Sequence, residues 1–218
     1  PTAIKNKLVD EKPDSLDELD LKIKPKLFTY QKEARDSWIK HDGRGIFEMA
    51  TGTGKTITAI GCIEELVKNN EKLLVVIACP TNLLVKQWER ELKGKWNYES
   101  KNTTKGSTDW MEELRTIKRN FRDKIGSNLQ IMISSYDSFC TEDFVALVNE
   151  IDVPTMLIAD EVHEAGSSER QRGLMEKYQY RLGLSATPER YFDDKGTAML
   201  NQYFKPKIRL INVAFMQH

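Results

Sequence analysis

Residues Ala50, Thr51, Gly52, Thr53, Gly54, Lys55 and Thr56 run together in an order suited to gripping phosphate. The two glycines let the backbone bend until successive N–H groups converge on phosphate oxygens. Lys55 adds a compact positive charge for the terminal phosphates of a nucleoside triphosphate, and the Thr56 hydroxyl is a ligand for Mg²⁺. A second group stands far downstream, where Asp160 and Glu161 close the apolar run Met156-Leu157-Ile158-Ala159. Carboxylate oxygen suits a hard cation, so Asp160 is the Mg²⁺ partner, and Glu161 can orient and deprotonate an attacking water. His163 follows two residues later, as part of the site or as an ordinary polar-network histidine.

Chemistry of this kind needs a strand to deliver the loop and a helix to open behind it. Residues 45–50 read as that strand and residues 55–69 as that helix, whose N-terminus turns a positive dipole end toward the phosphates. Further apolar runs at 73–78, 129–134, 156–159 and 180–185 read as buried strands. Helical patterns fall at 83–92 and, through Trp110, Leu114, Ile117 and Phe121, on one face of a later segment. The opposite face of that segment carries Arg115, Lys118, Arg119 and Arg122 and reads as a solvated face. Strands separated by helices give an α/β fold, a mostly parallel sheet covered on both sides. The grip on triphosphate and Mg²⁺ is expected between neighbouring strands of that sheet.

Together these segments resemble the first RecA-like lobe of a superfamily 2 helicase of the Asp-Glu-x-His kind. The resemblance covers Lys26 to the end and rests on segments in the family's order. These are Leu27 to Gln31, Thr51 to Thr56, Cys79 to Leu84 continuing into Gln87 and Trp88, Ser134 to Phe139, Asp160 to His163, and Ser185 to Arg190. Met49 departs from the general phosphate-loop pattern, which has glycine there, and Phe28 stands where relatives commonly carry arginine.

The resemblance implies a P-loop three-layer sandwich that binds ATP with Mg²⁺. It implies that Gln31 presents its amide to adenine, and that Phe28 either stacks on the base or belongs to the core. Pro80, Thr81, Ser135 and Tyr136 would touch nucleic-acid phosphates. Thr81 is equally a helix N-cap, and Ser134, Ser135 and Tyr136 equally ordinary strand-end packing. Ser185 and Thr187, partly through His163, would relay between the acidic pair and the tracked strand. The stretches Met49 to Thr56 and Ser185 to Arg190 resemble the restriction-subunit and repair-helicase branch, which favours DNA over RNA. An RNA helicase lobe, a nucleotide-switched interaction module and a small-molecule kinase are the rival readings. Glu161 argues against a mere switch, and the Pro80-Thr81 and Ser185-to-Pro188 segments have no place in a kinase.

Composition bounds the rest. Lys+Arg and Asp+Glu stand at 33 each, so no bulk positive field marks a passive electrostatic binder of nucleic acid. No apolar stretch approaches the roughly 20 residues of a membrane span, and no basic-then-apolar leader opens the chain. Cys62, Cys79 and Cys140 lack metal-ligand spacing, and the reading is a reducing, intracellular setting, cytoplasmic or nucleoid-associated. Residues 1–25 are polar and acid-rich, an expected extension or linker in which Ser15 and Glu18 form a possible helix cap; residues 26–218 form the ATP-binding domain. A chain beginning with proline is expected to be a fragment or a processed product. The family's second lobe, with arginines that reach the terminal phosphate, is expected elsewhere, so the lobe alone should hydrolyse poorly.

Overall fold

The computed structural model describes residues 25–104, 106, 109–187 and 193–209. The expected cap at Ser15 and Glu18 and the Pro188-Glu189-Arg190 end of the last motif lie outside them.

The chain runs α1 (Thr29–Lys40), β1 (Arg44–Glu48), α2 (Lys55–Asn69), β2 (Leu73–Cys79) and α3 (Asn82–Glu91), which ends in a π-turn at Leu92–Trp96. It continues through β3 (Lys101–Asn102), α4 (Trp110–Asp123), β4 (Leu129–Ser135), α5 (Tyr136–Phe139) and α6 (Glu142–Asn149). The last part is β5 (Thr155–Asp160), two 3-10 turns at Val162–Gly166 and Arg170–Gly173, β6 (Tyr180–Ser185), α7 (Asp194–Phe204) and β7 (Lys207–Arg209). The strands form one seven-stranded sheet in the order β3-β4-β2-β5-β6-β1-β7, and every pairing is parallel.

A parallel sheet hides both faces, and the central strands show why these sequences comply. All seven residues of β2 are buried. Leu73, Val75, Ile77 and Cys79 point into one core with Trp38, Ile60, Ile63, Val85 and Trp88. Leu74, Val76 and Ala78 point into the other with Leu114, Ile117, Phe144 and Leu200. Helices α1, α2 and α3 therefore cover one face, and α4 to α7 the other, giving three layers. The same period of two sets Asp160 on the face shared by Met156 and Ile158, beneath α2 and α3.

The strand order corrects one expectation. β1, which delivers the phosphate loop, and β5, which delivers the acidic pair, are not neighbours; β6 lies between them and pairs with both. The grip is made across three strands rather than two. Element bounds otherwise shift by one or two residues: the loop's strand ends at Glu48, not at residue 50, and β5 reaches Asp160.

Candidate active site

After β1 the chain turns through the phosphate loop. Gly52 and Gly54 have φ of +82° and +81°, left-handed conformations in which a side chain is strained. Inside the turn the Thr53 hydroxyl donates to Ala50 O at 2.7 Å, and Thr58 N donates to Gly54 O at 2.9 Å. Met49 explains its own departure from glycine. Its side chain is 2% exposed in the core, while its carbonyl accepts from Lys55 Nζ at 3.3 Å, so only backbone faces the loop.

Gln31 is 2% exposed and fastened to this loop: Nε2 donates to Thr53 O at 3.2 Å, and Oε1 accepts from Phe28 N at 2.9 Å. The Tyr30 hydroxyl donates to the same Thr53 carbonyl at 2.9 Å. Phe28 is 67% exposed and lies parallel to Tyr30 with ring centroids 5.8 Å apart, so it is no core residue. An aromatic face beside the loop is left available for stacking.

Across the sheet, Asp160 ends β5 nearly buried. Its Oδ2 accepts from the Trp88 indole at 2.9 Å, and its Oδ1 accepts from Glu161 N at 3.1 Å. Burial pushes its carboxyl above the usual carboxylate range, while the Trp88 hydrogen bond pulls the other way. Each oxygen keeps a lone pair for a cation. Glu161 adopts φ +47°, a strained value for a non-glycine residue. Its carboxylate lies 3.8 Å from Lys55 Nζ. The end of β6 completes the group. Ser185 Oγ donates to Glu161 Oε2 at 3.3 Å, lies 3.1 Å from His163 Nδ1, and accepts from Thr187 N at 3.1 Å. Lys55, Asp160, Glu161, His163, Ser185 and Thr187 thus gather at the carboxyl ends of three parallel strands, where open α/β sheets bind ligands.

A separate cleft of about 350 Å³ is lined by Pro80, Thr81, Asn82, Thr104, Ser135, Asp137 and Ser138. Thr81 caps α3, its hydroxyl accepting from Leu84 N at 3.3 Å. The cleft joins three of the four residues expected to touch phosphates and excludes the fourth. The Tyr136 side chain is fully buried, its hydroxyl donating to Asp160 O at 2.9 Å. It sits at the turn from β4 into α5, where the chain folds back under β5, and its expected contact is corrected to a structural one.

The comparisons with known proteins agree with this fold. The family described as "Type III restriction enzyme, res subunit" matches residues 24–190. The chain belongs to that family. DNA 3'-5' translocase XPB2 of Sulfurisphaera tokodaii is 29% identical over 189 residues, 86% of this chain and 36% of that protein, so the chain spans about a third of that relative's length. Among solved structures, the Type ISP restriction-modification enzyme LlaGI, a nuclease-deletion mutant in complex with a DNA substrate mimic, superposes with a TM-score of 0.63 at 22% identity. That alignment covers 88% of this chain and 20% of that one. The SWI2/SNF2 ATPase core of Sulfolobus solfataricus, in complex with double-stranded DNA, gives 0.56 at 18% identity over 85% of this chain and 37% of that one. This res-subunit-family chain has the fold of the first RecA-like lobe of a superfamily 2 helicase.

Two residues of the site carried no role in the sequence reading. Trp88 holds Asp160 although 72 positions separate them. Its signal was the spacing Val85, Trp88, Leu92 on the inner face of α3 and its turn, all three buried. Arg170 pairs with Asp137 and Glu164, and nothing in its neighbourhood marked it. The basic face of α4 is matched with acids, Arg115 and Arg119 with Glu112, Lys118 with Glu150 and Arg122 with Asp123, as a solvated face should be. All three cysteines are free, Cys62 and Cys79 buried as small hydrophobes. No helix among the described residues is long and apolar enough to cross a membrane.

Proposed function

We propose that residues 26–218 form the ATP-binding lobe of a DNA helicase or double-stranded DNA translocase. The approach of Lys55 to Glu161 at 3.8 Å carries the reading, because it brings a phosphate-binding cation and a water-activating carboxylate to one spot. ATP would lay its phosphates on the amides from Thr51 to Thr56, with Lys55 leaving Glu161 for the terminal phosphate. The freed carboxylate would then orient water, steadied by Ser185 and His163. The exposed ring of Phe28 would stack on adenine, and Gln31 would have to give up a bond to Thr53 O or Phe28 N to present its amide to the base.

Mg²⁺ fits the oxygen donors at hand, the Thr56 hydroxyl and the Asp160 carboxylate. Mg²⁺ keeps waters and substrate phosphates among its ligands, so one or two protein oxygens are enough to hold it. When bound, the ion would neutralise charge on the phosphate oxygens.

Pro80, Thr81 and Ser135 would meet nucleic-acid phosphates in their shared cleft. DNA is favoured over RNA because XPB2 is named a DNA translocase, and an intracellular setting follows from such a substrate. A second RecA-like lobe would supply a finger arginine, worth roughly 10³ to 10⁵ in rate, so the lobe alone should turn over slowly. Glu161→Gln in the full-length protein should keep ATP binding and lower turnover by about 10² to 10⁴. Turnover close to that of the unaltered protein would refute the reading. Competition between duplex DNA and duplex RNA across a salt series tests the track.

A further inference from the structure

One charged residue joins a wall of the cleft to the turn that follows the acidic pair. Arg170 opens the second 3-10 turn and stacks over the Tyr136 ring, its guanidinium 5.4 Å from the centroid. Nη2 donates to Asp137 Oδ1 at 3.1 Å, on the wall of the cleft. Nη1 donates to Glu164 Oε2 at 2.7 Å and to the Glu164 carbonyl at 3.3 Å. Glu164 Oε1 lies 3.7 Å from His163 Nε2, and the other ring nitrogen is 3.1 Å from Ser185 Oγ, which donates to Glu161. Charged and hydrogen-bonding groups therefore run from the cleft toward the water-activating carboxylate, with one looser step of 3.7 Å between Glu164 and His163.

We propose that Arg170 is a positioning residue that ties occupancy of the cleft to the setting of Glu161. The proposal rests on the nucleic-acid reading above and adds a route to it. Asp137 is an anomaly in a cleft for anions, since its carboxylate repels an incoming phosphate. Its side chain is 81% exposed and that of Arg170 only 22%, so the pair is held from the arginine side. A planar guanidinium matches phosphate as well as carboxylate. An entering phosphate therefore competes for the Nη2 edge and pushes Asp137 away. Arg170 then has two arrangements, one shared between two acids and one shared between phosphate and Glu164. The switch alters the pull on the short turn that carries His163.

The test uses the full-length protein, duplex DNA at fixed salt, and three readouts: turnover without DNA, turnover at saturating DNA, and DNA affinity by fluorescence anisotropy. Arg170→Gln should leave DNA-free turnover within about threefold, weaken DNA binding, and still lower turnover at saturating DNA about tenfold. Arg170→Lys, which keeps the charge and loses the fork, should lose stimulation as well. Adding Asp137→Asn to Arg170→Gln should bring no further loss, because both act on one path. Full stimulation in both Arg170 variants overturns the proposal. So does a loss that saturating DNA restores, which makes Arg170 a plain phosphate contact. An equal fall in DNA-free turnover overturns it too, since that marks a merely structural role. An unaltered protein that DNA does not stimulate sinks the nucleic-acid reading itself.

Discussion

Replacing Trp88 with phenylalanine separates packing from charge at the acidic site. Trp88 is 1% exposed and gives its one polar hydrogen to Asp160 Oδ2 at 2.9 Å. A hydrogen bond to a charged acceptor contributes about 1.5 to 3 kcal/mol, and a buried acceptor stranded without it keeps its desolvation cost. The smaller ring also leaves a void of about 40 Å³, which at roughly 24 cal/mol per Å³ adds about 1 kcal/mol. At neutral pH, Trp88→Phe should therefore destabilise the chain by about 2.5 to 4 kcal/mol, a drop of about 1 to 2 M in the urea midpoint. The acid-side result is the discriminating one. The indole holds the Asp160 carboxyl down against the upward push of burial, so its loss raises that carboxyl further. Below the raised value the carboxyl is protonated, the charged bond no longer exists, and the difference should shrink to the packing part of about 1 kcal/mol. Trp38→Phe is the control. Trp38 is 0% exposed and donates at 3.0 Å to the neutral Arg181 carbonyl, so its penalty should be the same at both pH values. An equal penalty for Trp88→Phe at both pH values refutes the reasoning.

Gly54→Ala should destabilise the loop by about 1 to 2 kcal/mol and weaken nucleotide binding; at φ +81° the new Cβ would lie 2.5 Å from Gln31 Nε2. Calorimetric unfolding and fluorescent-nucleotide titration check both, and unchanged values contradict the geometry. Tyr136→Phe should lose about 1 kcal/mol in urea unfolding and leave DNA affinity intact. Weaker DNA binding at unchanged stability would reinstate the direct contact. Because burial raises Asp160, the native ligand-free state holds its proton more tightly than the unfolded chain does. Stability from this group then falls as pH rises from the ordinary carboxylate range through the raised native value, and levels off above it. Mg²⁺-nucleotide favours the ionised form, so the rise in Tm it produces should grow as pH climbs from the ordinary carboxylate range through that raised value. A flat response removes Asp160 from the site.

The phosphate loop, the acidic pair and the central strands were legible because each is set by local pattern. β2 is an unbroken apolar run and β6 matched its expected bounds at Tyr180–Ser185. Helix α1 was missed because it buries only Gln31, Ala34 and Trp38, a face too polar for hydrophobic periodicity to reveal. β3 and β7 are edge strands of two and three residues, too short to carry a signal. Arg181 is 2% exposed inside β6, tolerated because the Tyr178 and Tyr203 carbonyls and Glu176 accept its hydrogens. Partners met only through the fold, such as Trp88 for Asp160, leave no mark on either local segment. For Tyr136 the sequence left phosphate contact and strand-end packing even, and only the fold, which buries the ring and bonds its hydroxyl to Asp160 O, decides for packing.

The interposition of β6 sets the breadth of the candidate site. With adjacent strands about 4.8 Å apart, the carboxyl ends of β1 and β5 stand nearly 10 Å from each other. Lys55 spans this interval, its Nζ 3.8 Å from the Glu161 carboxylate. In the proposed function that contact opens, and the interval would admit a terminal phosphate, a hydrated cation and water. Its floor is the tip of β6, where Ser185 ends the strand and meets the carboxylate that faces that space.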